Sequence, residues 1–218
     1  MSSRTYLIPV GSMTLTDQKD YRINAISAAI ERASQKKIGS ISDEIPGYAT
    51  QAPGLKPAEQ RQYRIDLITN WLKQGNTPAS IDVREPQPGL DFGCTVDDWQ
   101  SAALAAVNTF YTIFNGVVTP TLNAVRIAVW YGVAVETAAF PVSRLTWRTG
   151  GAAGNIIAEF DLEQLINRLE SIGFFSEPVI FDPTLPYSGT VRCRIATGLL
   201  SRVQPMGFII EPAGTTNA

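Results

Sequence analysis

The sequence predicts an α+β protein: a helical N-terminal region followed by an antiparallel, jelly-roll-like β-sandwich with one short inserted helix. Three observations lead there. Residues 1–90 hold two segments with apolar side chains at helical spacing. Residues 91–218 hold about six or seven short β-like segments separated by Gly- and Pro-rich turns. The regular β–α–β alternation that a doubly wound sheet requires is absent.

Residues 6–10 form an apolar run, either an edge strand or an arm that docks elsewhere, and Pro9 argues against a central strand. Thr16 is placed to cap a helix in which Ile23, Ile26 and Ile30 share a face with Ala29 and Ala33, and Gly39 closes it. Residues 40–56, with Pro46, Gly47, Pro53 and Gly54, read as a loop or extended linker. Pro57 opens a second helix with Ile65, Ile68 and Leu72 as its stripe, widened by Leu67 and Trp71. Gly75 serves as its C-terminal cap, with Pro78 beyond. The Pro-rich stretch 76–93 is the expected boundary between a helical arm or small helical domain (1–90) and the β-sandwich domain (91–218). A helical region so small needs to pack on the rest of the chain or on another subunit.

Beyond the boundary, Thr95-Val96-Asp97-Asp98 has the form of a helix start, and Trp99, Ala103, Ala106 and Phe110 follow at helical spacing. Residues 109–118 are β-branched and aromatic and favour a strand, with Asn115-Gly116 as a candidate hairpin turn. The strongest strand signal is 124–136. Val125, Ile127, Val129, Tyr131, Val133 and Val135 fall on one face. The other face, with Ala124, Arg126, Ala128, Trp130, Gly132, Ala134 and Glu136, is also largely apolar or small, so it too is open to being covered. Further strands are expected at 142–148, 156–160, 179–181, 190–196 and 208–210. Asp161 caps a short helix with Leu162, Leu165, Ile166 and Leu169 inward, ending at Gly173.

The residue types bound the chemistry. The chain has no histidine, which removes Ser-His-Asp and Cys-His nucleophile systems in their usual form and most zinc and non-haem iron sites. No catalytic residue, cofactor or metal site is expected. Glu159, Asp161 and Glu163 invite an acid–base or calcium reading, against which helix capping and the helix dipole account for the same acids. Cys94 and Cys193 match no zinc spacing; Cys193 reads as a small buried hydrophobe, and one disulfide between the two stays open. Gly150-Gly151-Ala152-Ala153-Gly154 reads as a tight turn, and Asp91-Phe92-Gly93 lacks every companion of the kinase triplet it matches.

Charge points to contacts. The formal net charge is −2, so a nucleic-acid partner is not expected. Every lysine lies at or before Lys73, and the later cations are all arginines, whose planar fork suits water-poor interfaces. Arg144 and Arg148, and Arg192 and Arg194, alternate with apolar residues, so two neighbouring strands would carry them on one outer face. That face is either a partner surface or an ordinary solvated one. Trp130 joins these four arginines as a candidate interface residue. Trp130, Tyr131, Trp147 and Tyr187 together would suit a saccharide-stacking platform, the alternative to a protein interface.

Two segments, 140–151 (Phe-Pro-Val-Ser-Arg-Leu-Thr-Trp-Arg-Thr-Gly-Gly) and 174–183 (Phe-Phe-Ser-Glu-Pro-Val-Ile-Phe-Asp-Pro), give the β portion a texture that resembles small virion proteins of tailed bacteriophages. Capsid cement or decoration proteins and head–tail accessory proteins are the family members in view. The resemblance implies a structural, non-enzymatic virion component made in the host cytoplasm. Its implied partners are other copies of itself in a homo-oligomer, or capsid or tail proteins. A signal peptide is not apparent, and no apolar stretch reaches the ~18 residues of a membrane helix, so no membrane partner is expected.

Overall fold

The computed structural model describes residues 6–50, 52–114, 117, 119–135, 141–168 and 170–215. The expected Asn115-Gly116 turn, the end of the long strand at Glu136, Phe140, and the inward placement of Ile166 and Leu169 lie outside the described residues.

N-terminal helices lead into two antiparallel sheets. Strand β1 (Leu7–Pro9) is followed by α1 (Leu15–Gln35), α2 (Ile41–Glu44), α3 (Pro57–Lys73), β2 (Ile81–Arg84) and α4 (Pro88–Phe92). Then come β3 (Phe110–Thr112), β4 (Ile127–Val135), β5 (Val142–Thr149), β6 (Asn155–Asp161), α5 (Glu163–Ile166), β7 (Ile172–Phe181), β8 (Tyr187–Cys193) and β9 (Val203–Pro212). One sheet has the order β1-β7-β4-β9-β2 and the other β3-β8-β5-β6. The pairs β2–β9, β3–β8, β4–β7 and β5–β6 are nested, so the chain from 81 to 212 is paired like one long hairpin with its tip between β5 and β6.

Three layers result. The two sheets share one core, in which Trp130 of β4 stacks on Trp147 of β5 at 5.6 Å and Phe160 of β6 on Phe175 of β7 at 3.8 Å. A second core lies between the helices and the outer face of the five-stranded sheet, where Ala25, Ala29, Ile30 and Ala33 of α1 and Ile68 of α3 meet Ile127, Val129, Tyr131, Phe208 and Ile210. The small side chains of α1 allow close approach to the sheet. Tyr21 adds a hydrogen bond from its hydroxyl to the Phe175 carbonyl.

The long strand is buried on both sides, but not as a single alternating ribbon. Its register slips between Trp130 and Gly132 against both neighbours. Ile127, Val129 and Tyr131 therefore face the helices, whereas Val133 and Val135, expected on the same side, face the inter-sheet core. Tyr131 is one extra residue against β9, and residues 175–178 of β7 oppose it on the other side; both offsets are odd, so every later side chain is reversed. Glycine is required there: a Cβ on Gly132 would sit 2.8 Å from the Gly173 carbonyl oxygen, and one on Gly207 would collide with Val129 O and the Trp130 ring.

Several expected elements are corrected. The N-cap of α1 is Thr14, not Thr16, because Asp17 completes a capping box with it (Asp17 N to Thr14 Oγ1, 3.1 Å; Thr14 N to Asp17 Oδ2, 3.0 Å). No helix follows Thr95. Tertiary pairing overrides its Ala-rich propensity: Ser101 N donates to Ser201 O and Leu104 N to Leu199 O, both at 2.9 Å, while Trp99 is drawn into the core. The stretch before residue 90 is not purely helical, since β1 and β2 are the two edges of the five-stranded sheet. The loop 40–56 contains α2. Helix α5 stops at Ile166, and Gly173 lies within β7. Strands β7 and β9 extend well beyond the expected 179–181 and 208–210, and both accommodate a proline.

The helical layer is also pinned by charge. Arg32 bonds both oxygens of Asp182, just past β7, and Lys36 Nζ lies 3.1 Å from Oδ2. Burial opposes ionisation of Asp182, but the bonds from Arg32 and Lys36 outweigh it and hold the carboxyl below its ordinary value. A lowered folded pKa gives stability that is full above the unfolded value, about 4, and is lost as pH falls through the folded one. Asp182→Asn is therefore expected to be less stable than the parent at pH 7, with the gap closing as pH falls below the unfolded value and through the lowered folded one. Urea midpoints followed across pH check this; a gap independent of pH would contradict it.

Candidate interaction surface

The outer face of the four-stranded sheet follows from register. Cross-strand neighbours run Phe110, Arg192, Arg144, Asp161 in one row and Thr112, Thr190, Thr146, Glu159 in the next, with Ser188 beside Arg148 beyond. Arg144, Arg148 and Arg192 thus share a face. Arg194 lies one residue past the end of β8, with its N–H on Pro141 O at 2.7 Å. Arg144 and Arg192 stand directly opposite, a like-charge pairing that costs stability on its own. Local partners offset it: Arg144 reaches Glu159 at 3.2 Å, and Arg192 donates to Asn108 Oδ1 at 2.9 Å. Arg148 donates to Gly154 O across the β5–β6 turn at 3.2 Å.

Trp130, expected at an interface, is fully buried between the sheets. Ahead of the register slip the even-numbered side of β4 is the inner one, so the residue belongs to the core and presents nothing to a partner. The proposed saccharide platform fails for the same reason, because Tyr131, Trp147 and Tyr187 are also buried. Trp130, Trp147 and Tyr187 build the inter-sheet aromatic core with Phe92, Trp99, Phe114 and Phe181, whereas Tyr131 stacks on Phe174 and Phe208 on the helix side. Burial, with Asp91 and Cys94 nearby, pushes the Tyr187 phenol well above its usual value, so it stays neutral.

Sequence reasoning missed the strongest electrostatic feature. Arg84 of β2 bridges Glu211 of β9 (Nε to Oε1, 2.7 Å) and Asp91 of α4 (2.7 and 2.8 Å). Arg126, just before β4, meets the same two acids at 2.7 and 3.3 Å. Both carboxylates are fully buried, and Asp91 also accepts the Gln87 N–H at 2.7 Å. The cluster locks α4 and the β2–β3 connection against the end of the five-stranded sheet. A glutamate directly after the apolar run Phe208-Ile209-Ile210 was the available signal, since a charge in a buried strand needs a partner.

Two of the acids 159, 161 and 163 have local partners. Glu159 is engaged by Arg144 and Thr146, and Asp161, the last residue of β6, accepts the Glu163 N–H at 2.9 Å. The expected cap is corrected: the N-cap of α5 is Leu162, with no side-chain cap bond, because Asp161 stays in the strand and reaches only the first helical N–H. Cys94 and Cys193 are both buried and free, so no disulfide joins them. Burial raises both thiols, Cys94 to about 11. Among the described residues, no three His, Cys, Asp or Glu side chains converge as a metal site, and no helix is long and apolar enough to cross a membrane. No protein-family model matches this chain, and no curated protein matches it.

Removing one member of the buried cluster leaves an uncompensated charge in a dry site. Arg84→Met is expected to destabilise the fold by about 3–5 kcal/mol, read as a lower denaturant midpoint with an unchanged slope. A loss below about 1 kcal/mol, the range of exposed pairs, would show that the cluster is solvated.

Proposed function

We propose that this chain is a non-enzymatic structural subunit of a virus particle, a jelly-roll protein that acts through contacts with copies of itself and with capsid or tail proteins. Decoration or cementing of a capsid, or joining of head and tail, is the role proposed for it. The observation that carries this reading is the nested pairing β2–β9, β3–β8, β4–β7 and β5–β6 across two sheets. That connectivity is what a jelly roll requires, and jelly rolls serve chiefly as viral capsid, lectin and cupin domains. The choice among these is made at the residues, because architecture alone does not assign function. A cupin-type metal site lacks its histidines. A lectin would need exposed stacking rings, and the four rings that suggested one are buried. A shell subunit needs only a rigid frame and adhesive surfaces, and the row of arginines on the four-stranded sheet supports that use.

The reading predicts that the purified chain associates. Light scattering and sedimentation velocity over a hundredfold concentration range should show mass rising above the 23.7 kDa monomer, and electron micrographs should show regular oligomers or particles. A chain that stays monomeric throughout would contradict it. Binding of defined glycans on an array would favour the lectin reading instead.

A further inference from the structure

The β2–β3 and β8–β9 connections carry an unusual division of charge. Between Trp99 and Val125 the chain has no charged residue, and between Pro183 and Ile210 it has three arginines and no acid. These two stretches are joined by main-chain bonds: Leu104 N to Leu199 O at 2.9 Å, Gly198 N to Leu104 O at 3.0 Å, and Cys193 N to Thr109 O at 2.9 Å. Together they expose a concentration of large apolar side chains: Val107, Phe110, Ile195, Leu199 (70% exposed) and Leu200 (52%). The cations beside them are Arg192 and Arg194, and neither has a carboxylate within ion-pair distance among the described residues.

The segment just upstream has the opposite character. Residues 84–98 expose Leu90 and Val96 beside Glu85 and Asp97. Their only cation, Arg84, is turned inward to the buried acids. Glu85 and Asp97 have no cation within ion-pair distance among the described residues. The two regions meet where Arg202 lies 3.4 Å from Asp98 and where Gln100 bridges Arg202. One connected region therefore holds a basic apolar half and an acidic apolar half.

We propose that this region is the self-association surface, on which the basic apolar half of one copy seats the acidic apolar half of a second copy. This rests on the assembly reading above and specifies its contact. Apolar groups exposed together on a soluble chain mark an interaction site. Opposite charge on the two halves names the occupant, because each copy carries the complement of its own patch. Like halves repel, so charge also fixes which half meets which.

The test is a charge exchange. Arg192→Glu with Arg194→Glu, and separately Glu85→Lys with Asp97→Lys, should each weaken self-association at least tenfold by sedimentation, with unchanged circular dichroism and melting. An equimolar mixture of the two variants should associate more strongly than either alone, because the reversed halves are again complementary. Leu199→Ser with Leu200→Ser should weaken association without responding to mixing. Folded variants that associate like the parent, or a mixture no better than its components, would overturn this surface while leaving the assembly reading intact. A parent chain that never associates would overturn both.

Discussion

The structure depends on one strand having no wet side. Strand β4 packs Ile127, Val129 and Tyr131 against the helices and Ala128, Trp130, Val133 and Val135 against the second sheet. Burial on both faces is what joins a helical layer and a two-sheet sandwich into one body. The register slip near Tyr131 follows from the same demand. It lets the strand keep pairing with β7 and β9 while exchanging which face meets which core. Gly132 and Gly207 are the local concession, since neither position leaves room for a side chain.

The polar groups are arranged around that dry centre. Where the chain leaves β2 and enters β4, four charged side chains close the end of the sheet with hydrogen-bonded pairs instead of apolar packing. Such a cluster adds little net stability over an apolar replacement but penalises misplacement of any member. It holds α4 and the following connection in a fixed path, and that connection displays the acidic half of the proposed contact. Arg84 binds acids inside the fold, while among the described residues Glu85 and Asp97 outside it have no cation within ion-pair distance.

Much of the architecture was legible in the residues. Alternation marked β4 and β5 nearly to their ends, Pro57 and Gly75 bracketed α3, and Pro9 argued against a central strand for a segment that is an edge strand. The failures share one cause. The segment after Thr95 has helical spacing and good helix formers, yet it extends because Trp99 and Leu104 are worth more in the inter-sheet core, and 199–202 supplies backbone partners. Local pattern carries no information about such distant pairing. The reversal of faces within β4 was hidden for a related reason: a bulge leaves no mark in a run whose two faces are both apolar. At the surface, the shared face of Arg144, Arg148 and Arg192 followed from alternation, but Trp130 did not, because period two says which side a residue takes and not which side is wet.

Amide hydrogen exchange tests the central claim most directly. If β4 is the middle of three packed layers, the amides of Ile127–Trp130 and their partners in β9 should exchange only on global unfolding and be the slowest in the chain. Exchange there as fast as at the half-exposed edge strand β3 would mean that one of the two covering layers is not in place, and the account would fail.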